Sequence, residues 1–414
     1  MFWYLSLAWL ALVAQRGDWP DFRGPDGQGH ANAANVPVEW SETRNVAWKV
    51  PVPGAGWSTP IVANGRVWLT TAGDGREASL RVLAFDAATG RSLVNTEVFR
   101  LRGGNAVNPK NNRASPSPVI EDDRVYVHFG AEGTAALTMA GEIVWKAKFT
   151  YESQHGAGGS PILFNDLLIF NCDGDDSAFV VALDKQTGKV RWKTWRRSPS
   201  AQAYTTPLAI QVAGRDQIVS VGSFRTVAYD PATGKEIWRV SYGDGFSNVP
   251  RPVFGRGLVY IATGFQQPSL LAVRPDGTGD VTKTHVAWTL TRGAPHTPSP
   301  LLVGEELYIV SDNGIATCVE AATGTIRWQQ RLNGTFSASP VFAAGRIYFL
   351  SEQGVATVIA PGGEFRKLAT NTLDGATLAS MAVSDQSFFI RSSTHLYRIA
   401  QSSTSASVTR PARP

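Results

Sequence analysis

The sequence predicts an all-β protein, a single eight-bladed β-propeller of four-stranded antiparallel blades. We expect its ring to be closed by the N-terminal strand, which completes the last blade. Three observations predict this fold: a repeat with a period in the forties, a turn-and-tryptophan motif inside the repeat, and one unpaired strand near the N-terminus. A period of that length with four strands per unit is typical of propellers.

Each repeat begins with Ser or Thr followed by Pro, and a short apolar strand comes next. Proline is tolerated at the first residue of a strand, where its missing N–H costs little. Successive starts are 40 to 48 residues apart, except for a first step of 58 that includes an insertion from Arg100 to Arg113. The eight starting positions are Pro60, Pro118, Pro161, Pro207, Pro252, Pro300, Pro340 and Ala382.

The second half of the repeat carries the pattern Ala-x-Asp-x-x-Thr-Gly-x-x-x-Trp. It runs from Ala182 to Trp192 and from Ala228 to Trp238, and Cys318 replaces the alanine in a third copy that ends at Trp328. Asp accepts hydrogen bonds from turn amides, and Gly supplies the positive φ of a tight hairpin. The Trp on the outer strand can pack against a neighbouring blade. We therefore assign these residues to the structural frame of the blades.

The last repeat, from Leu378 to Ala400, provides three strands but no Trp strand. The missing strand stands at the other end of the chain, as Asn45 to Val50, with Trp48 in the expected position. Pairing the two ends would remove the open sheet edges at the junction. We divide the chain into a signal peptide (1–14), an N-terminal extension (15–44), the propeller (45–400) and a disordered tail (401–414).

The N-terminal apolar run from Phe2 to Ala14 is short for a membrane span and is typical of a secretory signal. We expect an exported monomer in the periplasm or cell envelope; an uncleaved signal that anchors the chain to the membrane is the alternative. The net charge of +5 is scattered along the chain, which argues against nucleic acid. Cys172 and Cys318 lie in different repeats, and we expect free, buried thiols.

The repeats resemble the tryptophan-docking motifs of the quinoprotein (PQQ-type) propellers. The opening Trp19-Pro-Asp-Phe-Arg-Gly-Pro-Asp26 and the segment from Pro53 to Pro60 resemble exported bacterial proteins with PQQ-like repeats. The resemblance covers about residues 18–400. That group contains dehydrogenases as well as non-enzymatic scaffolds such as the BamB-like outer-membrane assembly factors. The resemblance therefore implies the fold and leaves the function open.

Alternating strand direction separates two faces of the predicted propeller. One face, the plain face, carries the short Thr-Gly turns; the other, the irregular face, carries the loops between blades and the loops between second and third strands. Binding residues favour irregular loops on a rigid scaffold. Our candidate ligand-binding residues on the irregular face are His155, Arg197, Tyr204, Arg251, His296 and Arg391.

Three aspartates in the third repeat, Asp173, Asp175 and Asp176, are candidates for holding a cation. A solvated turn in which they cap backbone amides is the alternative. Arginines that converge on the channel would suit a carboxylate-rich ligand or an acidic peptide.

We expect a non-enzymatic exported scaffold that binds envelope proteins through the irregular face. The alternative is a PQQ-dependent or reduced quinoprotein oxidoreductase, for which Trp57, Arg251 and the Asp173 cluster offer pieces of a site for PQQ and calcium. The adjacent cysteines of quinoprotein dehydrogenases are missing, however, and the chain has no catalytic motif that we recognise. We therefore assign no catalytic residue and no cofactor.

Overall fold

A computed structural model describes residues 17–73, 78–101, 108–196, 202–243 and 245–401. Within these ranges the chain consists of β-strands and loops, apart from one 3-10 turn at Gly130–Glu132. The same ranges contain no helix long and apolar enough to cross a membrane. The predicted signal peptide and nearly all of the predicted tail lie outside the described residues.

The strands form eight antiparallel sheets, as the sequence predicts. Each sheet is one blade, and its first strand is the innermost in the ring. The strands of the first four blades are β2 (Ile61–Ala63), β3 (Arg66–Ala72), β4 (Ser79–Asp86) and β5 (Ser92–Arg100) in blade 1; β6 (Val119–Glu121), β7 (Arg124–His128), β8 (Thr134–Thr138) and β9 (Ile143–Ala147) in blade 2; β10 (Ile162–Phe164), β11 (Leu167–Asp173), β12 (Ala178–Asp184) and β13 (Val190–Trp195) in blade 3; and β14 (Leu208–Val212), β15 (Arg215–Val221), β16 (Arg225–Tyr229) and β17 (Glu236–Ser241) in blade 4.

The other four blades repeat the arrangement, and the eighth takes its outer strand from the N-terminus. Their strands are β18 (Val253–Gly255), β19 (Leu258–Thr263), β20 (Ser269–Val273) and β22 (Val286–Leu290) in blade 5; β23 (Leu301–Val303), β24 (Glu306–Val310), β25 (Ile315–Glu320) and β26 (Ile326–Arg331) in blade 6; β27 (Val341–Ala343), β28 (Arg346–Leu350), β29 (Val355–Ala360) and β30 (Arg366–Thr372) in blade 7; and β31 (Ala382–Ser384), β32 (Ser387–Arg391), β33 (His395–Ile399) and β1 (Val46–Pro51) in blade 8.

The N-terminal strand closes the ring, which confirms the prediction. Strand β1 pairs antiparallel with β33, and Val50 lies opposite Leu396. The indole of Trp48 then reaches the next blade, where its Nε1–H donates to the Ala87 carbonyl at 3.1 Å. Blades 8 and 1 are thus joined by the same contact that joins other blades.

That contact is a tryptophan of one blade docked on the turn before the outer strand of the next; this turn is a Thr-Gly turn in four of the pairs and Gly362-Gly363 in the fifth. The Nε1–H groups donate to turn carbonyls at 2.7 to 3.1 Å in five pairs: Trp48 to Ala87, Trp145 to Lys185, Trp192 to Pro231, Trp288 to Ala321 and Trp328 to Gly362. In the four Thr-Gly turns the glycine lies against the indole: a Cβ on Gly188 would come within 2.6 Å of Trp145, whereas a Cβ on Gly362 would meet nothing within 4 Å. The motif therefore serves packing between blades.

Blade 4 departs from the four-stranded prediction. A short strand, β21 (Gly279–Asp280), leaves the loop of blade 5 and pairs parallel with β17. In blade 5, Gly279 of the pair Thr278-Gly279 belongs to β21, and Trp238 of blade 4 does not donate to a turn carbonyl there. Its Nε1–H instead donates to Gln217 Oε1 within its own blade at 2.7 Å.

Both cysteines are buried and free, as predicted. Cys172 lies in the second strand of blade 3, one residue before its end, and Cys318 lies in the third strand of blade 6. Burial raises the pKa of the Cys318 thiol to about 11, so this group stays protonated near neutral pH.

Candidate functional site

A cavity of about 690 Å³ occupies the centre of the ring on the irregular face. Loops between blades supply its walls, and the starts of the inner strands supply its base. Six aromatic or imidazole rings line its wall: Trp57, His155, Tyr204, Phe246, Phe265 and His296. We call this cavity the funnel.

The structure brings three of the predicted site residues together in the funnel: His155, Tyr204 and His296. The rings of His155 and Tyr204 are 6.1 Å apart, and His296 lies edge-on to Phe265 at 6.4 Å. The backbone N–H of His296 donates to the Asp312 carboxylate at 2.9 Å. These side chains form part of the wall, and beside them the Thr297 hydroxyl donates to the Asp312 carboxylate at 2.7 Å.

The predicted convergence of arginines is not found, since neither described candidate lines the funnel. Arg251 is buried and forms an ion pair with Asp21 at 3.2 Å. Arg391 is also buried and donates to Ser58 Oγ and to the Thr70 carbonyl, each at 2.8 Å. Both guanidiniums are thus committed to internal contacts. Arg197 lies outside the described residues.

Arg391 has no carboxylate partner among the described residues, which is unusual for a charge that is 1% exposed. Burial lowers its pKa to about 9. Its two hydrogen bonds join the second strand of blade 8 to blade 1, so this side chain reinforces the ring closure.

The three candidate aspartates of blade 3 have different binding partners. Asp173 is buried against Arg196 at 3.0 Å, and burial raises its pKa to about 6 while Arg196 opposes the rise. Asp176 accepts the backbone N–H of Glu152 at 2.7 Å, and Asp175 contributes its own N–H to the Glu152 carbonyl at 2.9 Å. In the described parts of the chain, no three His, Cys, Asp or Glu side chains are grouped so that they could hold a metal.

A ring of hydroxyl groups forms the base of the funnel. Seven blades place a serine or threonine just before the inner strand, and the fifth places Arg251 there. The hydroxyl-bearing members, all at most 6% exposed, are Thr59, Ser117, Ser160, Thr206, Ser299, Ser339 and Ser380.

Hydrogen bonds connect this ring from blade to blade. The backbone N–H of one member donates to the hydroxyl of the member on the next blade, at 2.9 to 3.0 Å. The six bonds run from Thr59 to Ser117, Ser117 to Ser160, Ser160 to Thr206, Arg251 to Ser299, Ser299 to Ser339 and Ser339 to Ser380. The Ser/Thr-Pro start of each repeat is thereby explained, because its hydroxyl accepts an amide that would otherwise be buried without a partner.

Below this ring, the N-terminal extension crosses the channel. We call residues 18–31 the plug. Its backbone bonds to the free edges of inner strands: Trp19 exchanges two hydrogen bonds with Val62 of blade 1, at 2.8 and 2.9 Å, and Pro20 accepts from Ile120 of blade 2 at 2.9 Å. On the far side, Gly29 accepts from Phe342 of blade 7 at 2.8 Å.

Charged side chains fix the centre of the plug. Asp21 pairs with Arg251, which also donates to the Phe22 carbonyl. Arg23 donates to the Pro300 carbonyl of blade 6 at 2.6 Å. The ring of Phe22 forms the floor of the funnel. The channel is therefore closed from the plain face, and the funnel is entered from the irregular face.

The plug is the feature that sequence reasoning missed. The segment from Trp19 to Gly29 has no repeat and no strand pattern, so the sequence predicts only an N-terminal extension there. Its glycines are the sequence feature that could have indicated the plug. Gly24 has a φ of 84°, and the absence of a Cβ leaves room for the Trp19 indole. The absence of a Cβ on Gly27 leaves room for the Arg251 guanidinium. Several glycines among aromatic and charged residues indicate a segment packed closely against something else.

Comparison with known proteins places the chain in a family. A family model, PQQ_2, described as outer membrane protein assembly factor BamB, matches residues 32–154 and 81–330. The chain belongs to the PQQ_2 family. A curated member from Burkholderia pseudomallei (strain K96243), outer membrane protein assembly factor BamB, is 28% identical over 279 residues. That match covers 64% of each chain, just under two thirds of the relative's length.

Solved structures share the fold of this PQQ_2 protein at low identity. BamB from Moraxella catarrhalis superposes with a TM-score of 0.62 at 14% identity, covering 87% of this chain and 98% of that one. A europium-containing methanol dehydrogenase superposes with a TM-score of 0.54 at 12% identity, over 83% and 89% of the two chains. These likenesses show the fold, which proteins of different activity share, and they assign no role to this chain.

The structure does not bring together the residues that the sequence suggested for PQQ and calcium. Arg251, the basic residue named for this cofactor, is paired with Asp21 of the plug at 3.2 Å, and Lys110, which lines the funnel, is paired with Glu352 at 3.0 Å. The carboxylates proposed for calcium are not part of the funnel lining, and Asp173 is bound to Arg196. Of the three pieces named for this cofactor, only Trp57 faces the cavity.

Proposed function

We propose that this PQQ_2 protein is an exported, non-enzymatic scaffold that holds a partner protein of the cell envelope on its irregular face. The observation that carries the proposal is the funnel: a cavity of about 690 Å³ with aromatic walls, closed underneath by the chain's own plug. A cavity with one entrance and a rigid frame is suited to receiving part of another molecule.

The rim of the funnel offers the type of residue that anchors protein interfaces. Phe265 is 58% exposed and stacks edge-on against both Phe246 and His296. Aromatic side chains next to a pocket are frequent hot spots of binding. The likeness to outer membrane protein assembly factor BamB supports a role in envelope assembly.

Site-specific photo-crosslinking in the native host tests the proposal. A photoreactive amino acid at Phe265 or His155, on the funnel rim, is expected to capture a defined envelope protein. The matched control is Ala232, which is exposed on a Thr-Gly turn of the plain face and should give no product.

Two results would contradict the proposal. One is crosslinking that is equal at Ala232 and Phe265. The other is turnover of an alcohol or a sugar by the purified protein with PQQ, calcium and an artificial electron acceptor, which would make it an enzyme.

A further inference from the structure

A second cavity, of about 570 Å³, lies on the irregular face between blades 5 and 6. We call it the side groove. His296 and Asp312 line both the side groove and the funnel, so the two cavities adjoin at these residues. Phe265, on the funnel rim, packs edge-on against His296 at 6.4 Å. A ligand that enters the funnel can therefore extend outward between the two blades.

The outer part of the side groove is polar and is formed by the end of the outer strand of blade 6. Gln329, Gln330 and Arg331 are the last three residues of β26, and all three are exposed and line the groove. Asn313, from the loop before β25, lines it as well. A carboxamide offers two donors and an acceptor, so these side chains match the N–H and C=O groups of a peptide backbone.

The outer edge of β26 is open, since in the described chain this strand pairs only with β25. Blade 4 shows that such an edge accepts a further strand. There β21 pairs parallel with the outer strand β17, and the Val281 N–H donates to the Arg239 carbonyl at 2.9 Å. Addition of an extended peptide to a sheet edge is a common mode of recognition. The open edge beside the side groove therefore favours an extended peptide as its ligand.

The charges around the side groove indicate the character of that peptide. Arg331 has no carboxylate partner among the described residues, and its Nη1–H donates to the Asn313 carbonyl at 3.0 Å. Arg292, exposed directly before Gly293 of the groove lining, forms no ion pair within the described ranges either. Asp312 is the one acidic side chain among the described residues that line the groove, and it already accepts three hydrogen bonds at 2.7 to 3.1 Å. The positive charge at this end is thus left for a ligand, and it favours an acidic one.

We propose that the side groove binds an extended acidic segment of the partner protein, with a carboxylate of that segment beside Arg331 and an apolar side chain among the rings of the funnel. This inference rests on the proposed scaffold function. It adds the conformation and the charge of the segment that the scaffold binds.

Photo-crosslinking at two positions in the native host tests whether one segment occupies both cavities. A photoreactive amino acid is placed at Gln330 in the side groove and, in a separate variant, at Phe265 on the funnel rim. Mass spectrometry should place both crosslinks in the same protein, within about ten residues of each other, which span about 33 Å when extended. We expect Asp or Glu in this segment. The control is Lys367, which is exposed on the outer strand of blade 7 and should give no product.

The outcomes distinguish this inference from the function on which it rests. Capture of a partner at Phe265 but not at Gln330 would leave the scaffold function standing and overturn the peptide in the side groove. No capture at either position would contradict both. Crosslinks to two separate segments, to a segment without Asp or Glu, or to a glycan would overturn this inference alone.

Charge reversal tests the role assigned to Arg331. A fluorescent peptide with the sequence of the captured segment is titrated with the purified full chain, and binding is followed by anisotropy. Arg331→Glu should weaken binding roughly ten-fold or more, because an attraction becomes a repulsion. The control Arg366→Glu makes the same change of charge at an exposed arginine of β30, and it should leave binding unchanged.

A matched peptide in which the acidic residue is replaced by its amide completes the cycle. It should bind wild type more weakly than the acidic peptide does, but it should lose nothing against Arg331→Glu, because the two groups interact with each other. Both arginines are exposed, so wild type and the two variants should have equal melting temperatures. Equal binding of the acidic peptide by Arg331→Glu and Arg366→Glu would overturn the proposal.

Discussion

Arg251 stands at the position where the other seven blades carry a hydroxyl, and its guanidinium is held by Asp21 of the plug. The sequence placed Arg251 near the channel correctly, because the spacing of the repeat locates every inner strand. Its partner could not be predicted, since Asp21 lies 230 residues away in a segment without a repeat. Arg391 shows the same limit: its contacts with Ser58 and Thr70 exist only once blade 8 meets blade 1. The repeat pattern in the sequence thus predicts where a residue lies in its blade, but not which distant residue it contacts.

Gly24→Ala tests the packing of the plug. Its φ of 84° is unfavourable for alanine, and the new Cβ would lie 2.7 Å from the buried indole of Trp19. We expect a loss of about 2–4 kcal/mol of unfolding free energy, from backbone strain and steric overlap together. The control is Gly214→Ala, which has a similar φ of 78° but no atom within 4 Å, and which should cost only about 1–2 kcal/mol. Equal losses in denaturant unfolding would show that the plug is not packed as described.

His30 makes one end of the plug sensitive to pH. Its Nδ1 lies 2.5 Å from Asp26 Oδ2 and its Nε2 lies 2.6 Å from the Leu302 carbonyl, so both nitrogens face acceptors. Burial alone would lower the pKa of His30, but the hydrogen bond and charge of Asp26 outweigh it and raise the pKa. The stabilisation is therefore complete below the unfolded pKa of about 6.5 and is lost as the pH rises through the raised folded value.

Melting temperatures between pH 5.5 and 9 check this assignment. Wild type should exceed His30→Gln by most at the acid end, and the difference should shrink toward pH 9. A difference that stays constant or grows with pH would mean that His30 is not held as an imidazolium.

At the scale of elements, the tryptophan docking contact joins five pairs of blades in the described chain, and the sequence predicts that this tryptophan packs against a neighbouring blade. Asp, Gly and Trp are needed there for local reasons: capping, a positive φ and a flat indole surface, so the motif is readable in isolation. The exception, Trp238, could not be predicted, because blade 5 also carries a Thr-Gly pair, Thr278-Gly279, but its glycine belongs to the short strand β21. The fifth strand of blade 4, Gly279–Asp280, is too short for a sequence pattern.

Trp48→Ala tests the docking contact at the closure of the ring. The change removes a half-buried indole and its hydrogen bond to Ala87, and we expect a loss of about 2–4 kcal/mol. Trp195→Ala is the control, because this indole lies at the outer edge of blade 3 and is 59% exposed; its loss should cost less than about 1 kcal/mol. Denaturant unfolding of both variants makes the comparison, and similar losses would contradict a special role for Trp48.

At the scale of the whole molecule, pairing of the N-terminal and C-terminal strands closes the ring. The N-terminal strand completes blade 8, and the segment before it closes the channel, so the funnel exists only when the ring is closed. The fold was predictable because eight successive repeats each predict the same four-stranded blade. The funnel was only partly predictable: its wall residues His155, Tyr204 and His296 sit on irregular loops that the topology gathers on one face.

The most direct test of this account is disulfide trapping between the two ends. Val50 and Leu396 are directly paired in β1 and β33, and such neighbours lie within disulfide range. The double variant Val50→Cys/Leu396→Cys should form the disulfide on mild oxidation and gain about 2–4 kcal/mol of stability, because the crosslink spans nearly the whole chain. The native thiols are buried and should not compete. The control Lys49→Cys/Leu396→Cys is out of register, and its two side chains point to opposite faces of the sheet. Mass spectrometry showing the crosslink only in the first pair is the predicted result; no crosslink there, or equal crosslinking in both pairs, would contradict a ring closed by the N-terminal strand.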